Sequence, residues 1–173
     1  MQGSSDGIAV QIRKSIEQGF RRLQPYAEGC LKMRGSMVRD FPTTAAIAVL
    51  HDTKNGIQVQ AVWAGDSRVY VLDENGLAQI SEDDLDGQDA FSNLSDDGEL
   101  TNVIAADGKY ELHEKGISLS RPAIIFAATD GCFGYMNSPM GFEYTILDAL
   151  EKAKTPGEFK KNLGAELSAY AGD

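Results

Sequence analysis

Apolar residues near the start of the chain recur every three or four positions, with arginine and lysine between them. These apolar positions are Ile8, Ile12, Ile16, Phe20 and Leu23. The spacing predicts an amphipathic helix, for which Asp6 is the expected N-cap. The same spacing returns twice within 143–170, on either side of Thr155-Pro156-Gly157. The chain is therefore predicted to begin with one helix and to end with two.

Between these helices the pattern changes to short apolar runs with the length of β-strands. The runs are 43–51, 57–64, 68–72, 77–80, 110–113 and 123–128. The joins 52–56 and 65–67 are short and rich in turn residues, so we expect the first three strands to form antiparallel hairpins. Because strands and helices do not alternate, the order predicts an α+β fold, in which packed antiparallel sheets are flanked by helices.

Composition limits the class of protein. A chain of 173 residues with 42% hydrophobic residues is long enough for one domain with its own core. The net charge of -10 argues against nucleic acid and against an anionic membrane surface as partners. The apolar runs are too short to cross a bilayer, and the start has no secretory signal pattern. Since Cys30 and Cys132 form no disulfide or zinc pattern, we expect a cytoplasmic protein.

The charge is concentrated in one part of the chain. Residues 73–111 hold twelve acidic side chains and a single basic one, Lys109. Within this stretch, residues 81–100 contain few apolar positions, which predicts a long solvated loop.

Three aspartates stand beside a glycine, two of them directly after an apolar strand and the third at the chain's end. They are Asp66 in Gly65-Asp66-Ser67-Arg68, Asp130 in Thr129-Asp130-Gly131, and Asp173 in Gly172-Asp173. Carboxylates held at rigid strand ends suit Mg²⁺ and Mn²⁺, which prefer oxygen ligands, and glycine allows close approach of the backbone. The alternative is that these dipeptides are ordinary turns.

The order of motifs from Pro42 onwards resembles that of the metal-dependent protein serine/threonine phosphatases of type 2C. The matching segments are 42–50, 62–72, 100–104, 125–131 and 172–173. The most specific pair is the Gly-Asp-Ser-Arg turn at 65–68 and the later apolar strand that ends in Thr-Asp-Gly at 129–131. The resemblance implies a four-layer αββα sandwich, with residues 1–173 forming a single and incomplete domain of this kind.

The resemblance also implies an activity and roles for individual residues. Members of the family bind two or more Mg²⁺ or Mn²⁺ ions, and a metal-bound water hydrolyses phosphoserine and phosphothreonine in phosphoproteins. By motif position, Asp130 and Asp173 would be catalytic as metal ligands, and Asp66 would help to hold an additional ion. Gly131 would allow a tight turn beside the metal, and Arg68 would brace the hairpin by pairing with a carboxylate. Residues 81–100 would take the place of the family's flap.

The chain also departs from the family pattern. An Asp-Gly-His-Gly-Gly motif precedes the first long helix in the family, whereas only Asp6-Gly7 stands there in this chain and is a weak metal-ligand candidate. This difference leaves an alternative open, in which the chain is an inactive phosphatase-like regulatory or binding module. A third interpretation is an interaction protein whose acidic loop is the docking surface. The sequence does not indicate an oligomeric state.

The remaining reactive side chains suggest no other chemistry. Neither cysteine is followed by the arginine of a cysteine-phosphatase loop, and the chain has no glycine-rich nucleotide motif. His51 and His113 are expected to be surface residues at strand ends.

Overall fold

The structure is a computed structural model that describes residues 7–29, 41–85, 100–134, 136 and 138–171. Helix α1 spans Ile8–Gly29, and the strands are β1 Ala45–Thr53, β2 Gly56–Ala64, β3 Arg68–Asp73, β4 Gly76–Gln79, β5 His113–Leu119 and β6 Ile124–Ala128. The later helices are α2 Asp130–Phe133, α3 Pro139–Glu151 and α4 Pro156–Ala171.

The strands form two antiparallel sheets of three strands, with the orders β1-β2-β5 and β4-β3-β6. Side chains from β2 and β3 meet between the sheets. The buried residues of this inner core are Val59, Ala61, Trp63, Val69, Val71 and Ile80. The predicted α+β class and the antiparallel sandwich are therefore confirmed.

Helices cover the outer face of each sheet. On one side, Ile16 and Phe20 of α1 pack against a cluster that includes Ala64 and Ile104. On the other side, Ile146 of α3 is fully buried in a second cluster, which α4 also contacts. Burial of one such side chain contributes about 1.5–3 kcal/mol. The layers therefore follow the order helix, sheet, sheet, helix. None of the helices in the described part of the chain combines the length and apolar character needed to cross a bilayer.

The predicted hairpin at 65–67 is wrong. Strand β2 pairs with β1 on one edge and with β5 on the other, so it has no free edge for β3. The turn instead carries the chain from one sheet to the other. Gly65 takes a φ of +86° there, and Ser67 is buried. The hydrophobic pattern marked both strands correctly, but it carries no information about which edges are already occupied.

Other elements also differ from the sequence prediction. Helix α1 continues past Pro25 to Gly29, and β5 begins at His113 instead of ending there. Tyr110 lies in a connecting segment and is buried near α1, so its apolar character reflects packing under a helix. The four-residue helix α2 is too short to produce a periodic pattern.

Tyr110 offers a stability test of this packing. Its hydroxyl is buried and has no hydrogen-bond partner among the described residues, while Arg13 lies 4.4 Å from the centre of its ring. We expect Tyr110→Phe to leave the free energy of unfolding unchanged or to raise it by about 1 kcal/mol, because an unpaired buried hydroxyl costs free energy. Urea denaturation measures this.

Tyr70→Phe is the matched control. The Tyr70 side chain is also buried, but its hydroxyl accepts a hydrogen bond of 3.1 Å from Arg68 Nη1. Its loss should lower the free energy of unfolding by about 1.5–3 kcal/mol, the usual range for a bond to a charged group. Equal losses for the two variants would contradict the packing described for Tyr110.

Candidate active site

Two of the predicted site residues meet at one edge of the sandwich. Asp66 lies in the turn between β2 and β3, and Asp130 follows β6. Because Arg68 pairs with Ala128 in the β3–β6 register, the start of β3 lies beside the end of β6. The β2–β3 turn and Asp130 are thereby brought to the same end of the sheet, although they are far apart in sequence.

The two carboxylates are close enough to interact. Burial raises the pKa of Asp66 above its ordinary value, and the negative charges of Asp130 and Asp83 raise it further. Hydrogen bonds from the backbone amide of Asp66 and from Thr44 oppose this shift without reversing it. Burial is therefore the main cause of the raised pKa of Asp66, and the nearby negative charges, which a bound cation would offset, add to it.

This charge predicts a pH effect on the metal-free protein. The folded-state pKa of Asp66 lies above the ordinary value of 3.8, so its contribution to stability is fully present below that value and is lost as the pH rises through the folded-state pKa. At neutral pH, Asp66→Asn should therefore raise the free energy of unfolding. We expect less than about 1 kcal/mol, because the side chain is partly exposed and screened.

Urea denaturation of the metal-free protein at neutral and at acidic pH tests this expectation. Glu74→Gln, on the exposed β3–β4 turn, removes the same charge and should change little. A loss of stability at neutral pH for Asp66→Asn alone would show that its hydrogen bonds outweigh the repulsion.

Arg68, two residues after Asp66, is fixed by contacts with Asp83 and Phe133. Its Nε lies 2.9 Å from both carboxylate oxygens of Asp83, and its Nη2 donates to Asp83 Oδ2 as well. The guanidinium also stacks over the ring of Phe133 at 4.0 Å from the centroid. Burial alone would lower the pKa of Arg68, but the hydrogen bonds that Arg68 donates to Asp83 and Tyr70 outweigh it and raise that pKa. Arg68 therefore ties the start of β3 to residues that follow β4 and to α2.

The backbone of the turn is held on the opposite side by Thr44. The Thr44 hydroxyl lies 2.7 Å from the hydroxyl of Ser67 and also hydrogen-bonds Asp66. A Cβ placed on Gly65 would lie 2.3 Å from Thr44 Cγ2, so only glycine fits between Thr44 and the neighbouring chain. The direction of Asp66 is consequently set by a tightly packed turn.

Asp130 is more open. It is exposed, it begins α2, and its Oδ1 accepts a hydrogen bond of 2.9 Å from the backbone N–H of Gly131. A Cβ on Gly131 would meet only Thr129 Oγ1 at 3.7 Å, an ordinary contact. The backbone at Gly131 thus has no steric need for glycine in this geometry, unlike that at Gly65.

The remaining predicted ligands are Asp6, Gly7 and Asp173. Asp6 and Asp173 are outside the described residues. Gly7 is exposed at the start of α1, where its carbonyl accepts a hydrogen bond of 3.2 Å from Gln11 N. Among the described residues, no group of three or more histidine, cysteine, aspartate or glutamate side chains is arranged to hold a metal ion. Within the described part of the chain, Asp66 and Asp130 are the predicted carboxylate ligands at the same end of the sheet, and the charge of Asp130 acts on Asp66.

A pair of carboxylates is nevertheless a suitable donor set for Mg²⁺ or Mn²⁺. Such ions are commonly held by one or two carboxylates, with waters and substrate phosphate oxygens completing the coordination. The raised pKa of Asp66 is consistent with this donor set, because two neighbouring negative charges favour a cation between them.

Sequence reasoning missed several polar residues that surround the turn. Asp83 and Asp84 were included in the predicted solvated loop, yet their side chains expose only 13% and 15% of their surface, and Ser81 is buried. Their position three and four residues after Ile80, a core residue, is the signal that could have separated them from the loop. Residues 86–99 of that loop lie outside the described residues.

His113 was also expected to be a surface residue. It contacts Asp84 Oδ1 at 2.9 Å through Nε2, and its ring lies 5.5 Å from that of Trp63, its cross-strand partner. These contacts arise because β5 pairs with β2, a strand that lies far from it in the sequence.

Comparison with known proteins identifies solved structures that have a similar fold. No protein-family model and no curated protein sequence matches the chain. Among solved structures, the serine/threonine phosphatase Stp1 from Staphylococcus aureus is similar with a TM-score of 0.69 and 18% identity, over 99% of this chain and 65% of its own. A bacterial serine phosphatase gives a TM-score of 0.68 and 18% identity, over 94% of this chain and 64% of its own.

A third structure is that of the catalytic domain of the serine/threonine phosphatase PstP in complex with two manganese ions. Its TM-score is 0.58 at 18% identity, over 99% of this chain and 70% of that domain. The chain thus spans less than two thirds of the length of Stp1 and of the bacterial serine phosphatase. At these identities the likeness concerns the fold, and it confirms the type 2C phosphatase fold that the sequence resemblance implies.

Proposed function

We propose that this chain is part of a metal-dependent protein serine/threonine phosphatase that hydrolyses phosphoserine and phosphothreonine. The observation that supports the proposal best is the proximity of Asp66 and Asp130 at one end of the sandwich, where the charge of Asp130 raises the pKa of Asp66. The similarity of the fold to that of a serine/threonine phosphatase supports hydrolysis as the reaction at this pair.

In this proposal Asp66 and Asp130 hold Mg²⁺ or Mn²⁺, and Asp173 joins them as a further ligand by motif position. When bound, the ions lower the pKa of a coordinated water and neutralise charge on the phosphoryl group. The manganese-bound PstP structure supports this choice of cofactor. Phosphoproteins of the cytoplasm are the proposed substrates, and residues 1–173 are proposed to belong to one domain.

The chain's own residues orient these ligands. Gly65 and Thr44 set the direction of Asp66, while the end of β6 and the start of α2 place Asp130. Arg68 is occupied by Asp83, so its role is to hold the start of β3 to the segment that follows β4. Such preorganisation matters because the reaction depends on positioned charges more than on covalent chemistry.

Release of inorganic phosphate from a phosphoserine peptide tests the proposal. The chain should release phosphate in the presence of Mn²⁺, and the release should stop when a chelator is added. Without added metal the rate should fall to background. The proposal fails if the rate does not depend on Mn²⁺.

An inactive binding module is the second candidate. It is favoured by the absence, among the described residues, of any group of three or more side chains arranged to hold a metal ion. Such a module would bind Mn²⁺ or a phosphopeptide without hydrolysing it. Binding of both ligands with no phosphate released would therefore select this candidate over the enzyme.

A further inference from the structure

Asp84 occupies a central position in a polar network next to the β2–β3 turn. Its Oδ2 accepts hydrogen bonds from the backbone N–H of Gly65 at 2.8 Å and from Asn102 Nδ2 at 2.7 Å. Its Oδ1 contacts His113 Nε2 at 2.9 Å. Its own backbone N–H donates to the carbonyl of Gly65 at 3.1 Å. Asp84 therefore holds both polar groups of the residue that precedes Asp66.

The neighbours of Asp84 are themselves fixed. Asn102 forms two hydrogen bonds with the backbone of Glu111. Asn102 Nδ2 donates to the carbonyl of Glu111 at 2.9 Å, and the backbone N–H of Glu111 donates to Asn102 Oδ1 at 3.0 Å. His113 stacks on Trp63, whose Nε1 donates to the carbonyl of Glu82 at 2.7 Å. A carboxylate that is held by several oriented donors has little freedom to rotate, so its contact with Gly65 is well defined.

We infer that Asp84 is a positioning residue for the metal site, because it fixes the Gly65 peptide and thereby the direction of the Asp66 carboxylate. The inference rests on the proposed function, in which Asp66 is a metal ligand. Groups that orient a ligand without touching the metal commonly change metal affinity by about 10–100-fold when they are removed.

Asp84 acts on Asp66 by positioning the backbone and not through its charge. The negative charges that raise the pKa of Asp66 are those of Asp130 and Asp83, whereas Asp84 contacts the Gly65 backbone. Gly65 has a φ of +86° and lies between Thr44 and the carbonyl of Asn102, so the turn has few other ways to be supported. Two adjacent acids thus have separate tasks: Asp83 binds Arg68, and Asp84 binds Gly65.

Calorimetric titration of the whole chain with Mn²⁺ tests the inference through binding alone. Asp84→Ala should raise the dissociation constant about 10-fold with unchanged stoichiometry. Glu82→Gln is the matched control, since it removes one charge from the same segment at an 83% exposed side chain. Its dissociation constant should stay within about twofold of that of the wild type.

The stoichiometry separates positioning from a purely structural role. A variant that only unfolds part of the protein lowers the number of sites and leaves the dissociation constant unchanged. Asn102→Ala, which removes one donor to Asp84 and leaves its contact with Gly65, provides a milder second variant and should raise the constant about threefold.

The possible failures are distinguishable. If the wild type binds no Mn²⁺, or if Asp66→Asn binds it unchanged, the proposed function is wrong and the inference falls with it. If Asp66→Asn loses binding while both Asp84→Ala and Asn102→Ala keep the wild-type constant, the inference alone is overturned.

Discussion

Replacement of Asp130 with asparagine is expected to lower Mn²⁺-dependent phosphate release at least about 100-fold, which corresponds to roughly 3 kcal/mol of the activation barrier. The amide keeps the size of the side chain but loses the negative charge that a hard cation requires. Asp130 is exposed at the end of β6, so its removal should leave the fold intact. The rate of phosphate release from a phosphoserine peptide measures this effect.

Asp107→Asn is the control for that variant, because Asp107 is an exposed aspartate whose nearest ion-pair partner is Lys109. The Asp107→Asn variant loses one negative charge outside the proposed site and should keep the wild-type rate of phosphate release. A rate for Asp130→Asn equal to that of Asp107→Asn would exclude Asp130 as a metal ligand.

Gly65→Ala is expected to cause the largest loss of stability, about 2–5 kcal/mol. Two costs add at this position: the φ of +86° is unfavourable for a residue with a Cβ, and the new Cβ would lie 2.3 Å from Thr44 Cγ2. The strand order makes relaxation difficult, since the turn joins β2 and β3, the central strand of each sheet, and both are paired on either side. Urea denaturation measures the free energy of unfolding.

Gly108→Ala separates the two costs. Gly108 also has a positive φ, of +75°, but a Cβ there would meet nothing within 4 Å. We expect a loss of about 1–2 kcal/mol from the backbone conformation alone. Equal losses at the two glycines would contradict the tight packing of the β2–β3 turn.

Much of the fold follows from local patterns in the sequence. The helical spacing of the apolar positions from Ile8 to Leu23 predicts α1, and the short apolar runs predict β2, β3 and β6 nearly to the residue. The sheet partners do not follow, because hydrogen-bond pairing between distant strands leaves no mark on the hydrophobic pattern. The β2–β3 connection is the clearest case, since a short polar join is compatible with a hairpin and with a crossing between sheets.

The residues of the candidate site could likewise be predicted only in part. Asp66 and Asp130 could be selected because each stands beside glycine after an apolar strand, and the motif order adds a reason to consider them together. The roles of Asp84 and His113 could not be predicted, because they depend on β5 lying beside β2. A carboxylate in an acidic stretch is normally solvated, and only the structure shows that Asp84 is enclosed by donors.

Asp66 and Asp130 are proposed to bind a divalent cation jointly. Anomalous diffraction from crystals of the chain grown with Mn²⁺ tests it most directly, because it locates the ion without reference to activity. We predict an anomalous peak within coordination distance of both carboxylates, about 2.0–2.3 Å from a carboxylate oxygen of each. A fully occupied Mn²⁺ site elsewhere, with no peak at Asp66 and Asp130, would contradict the account.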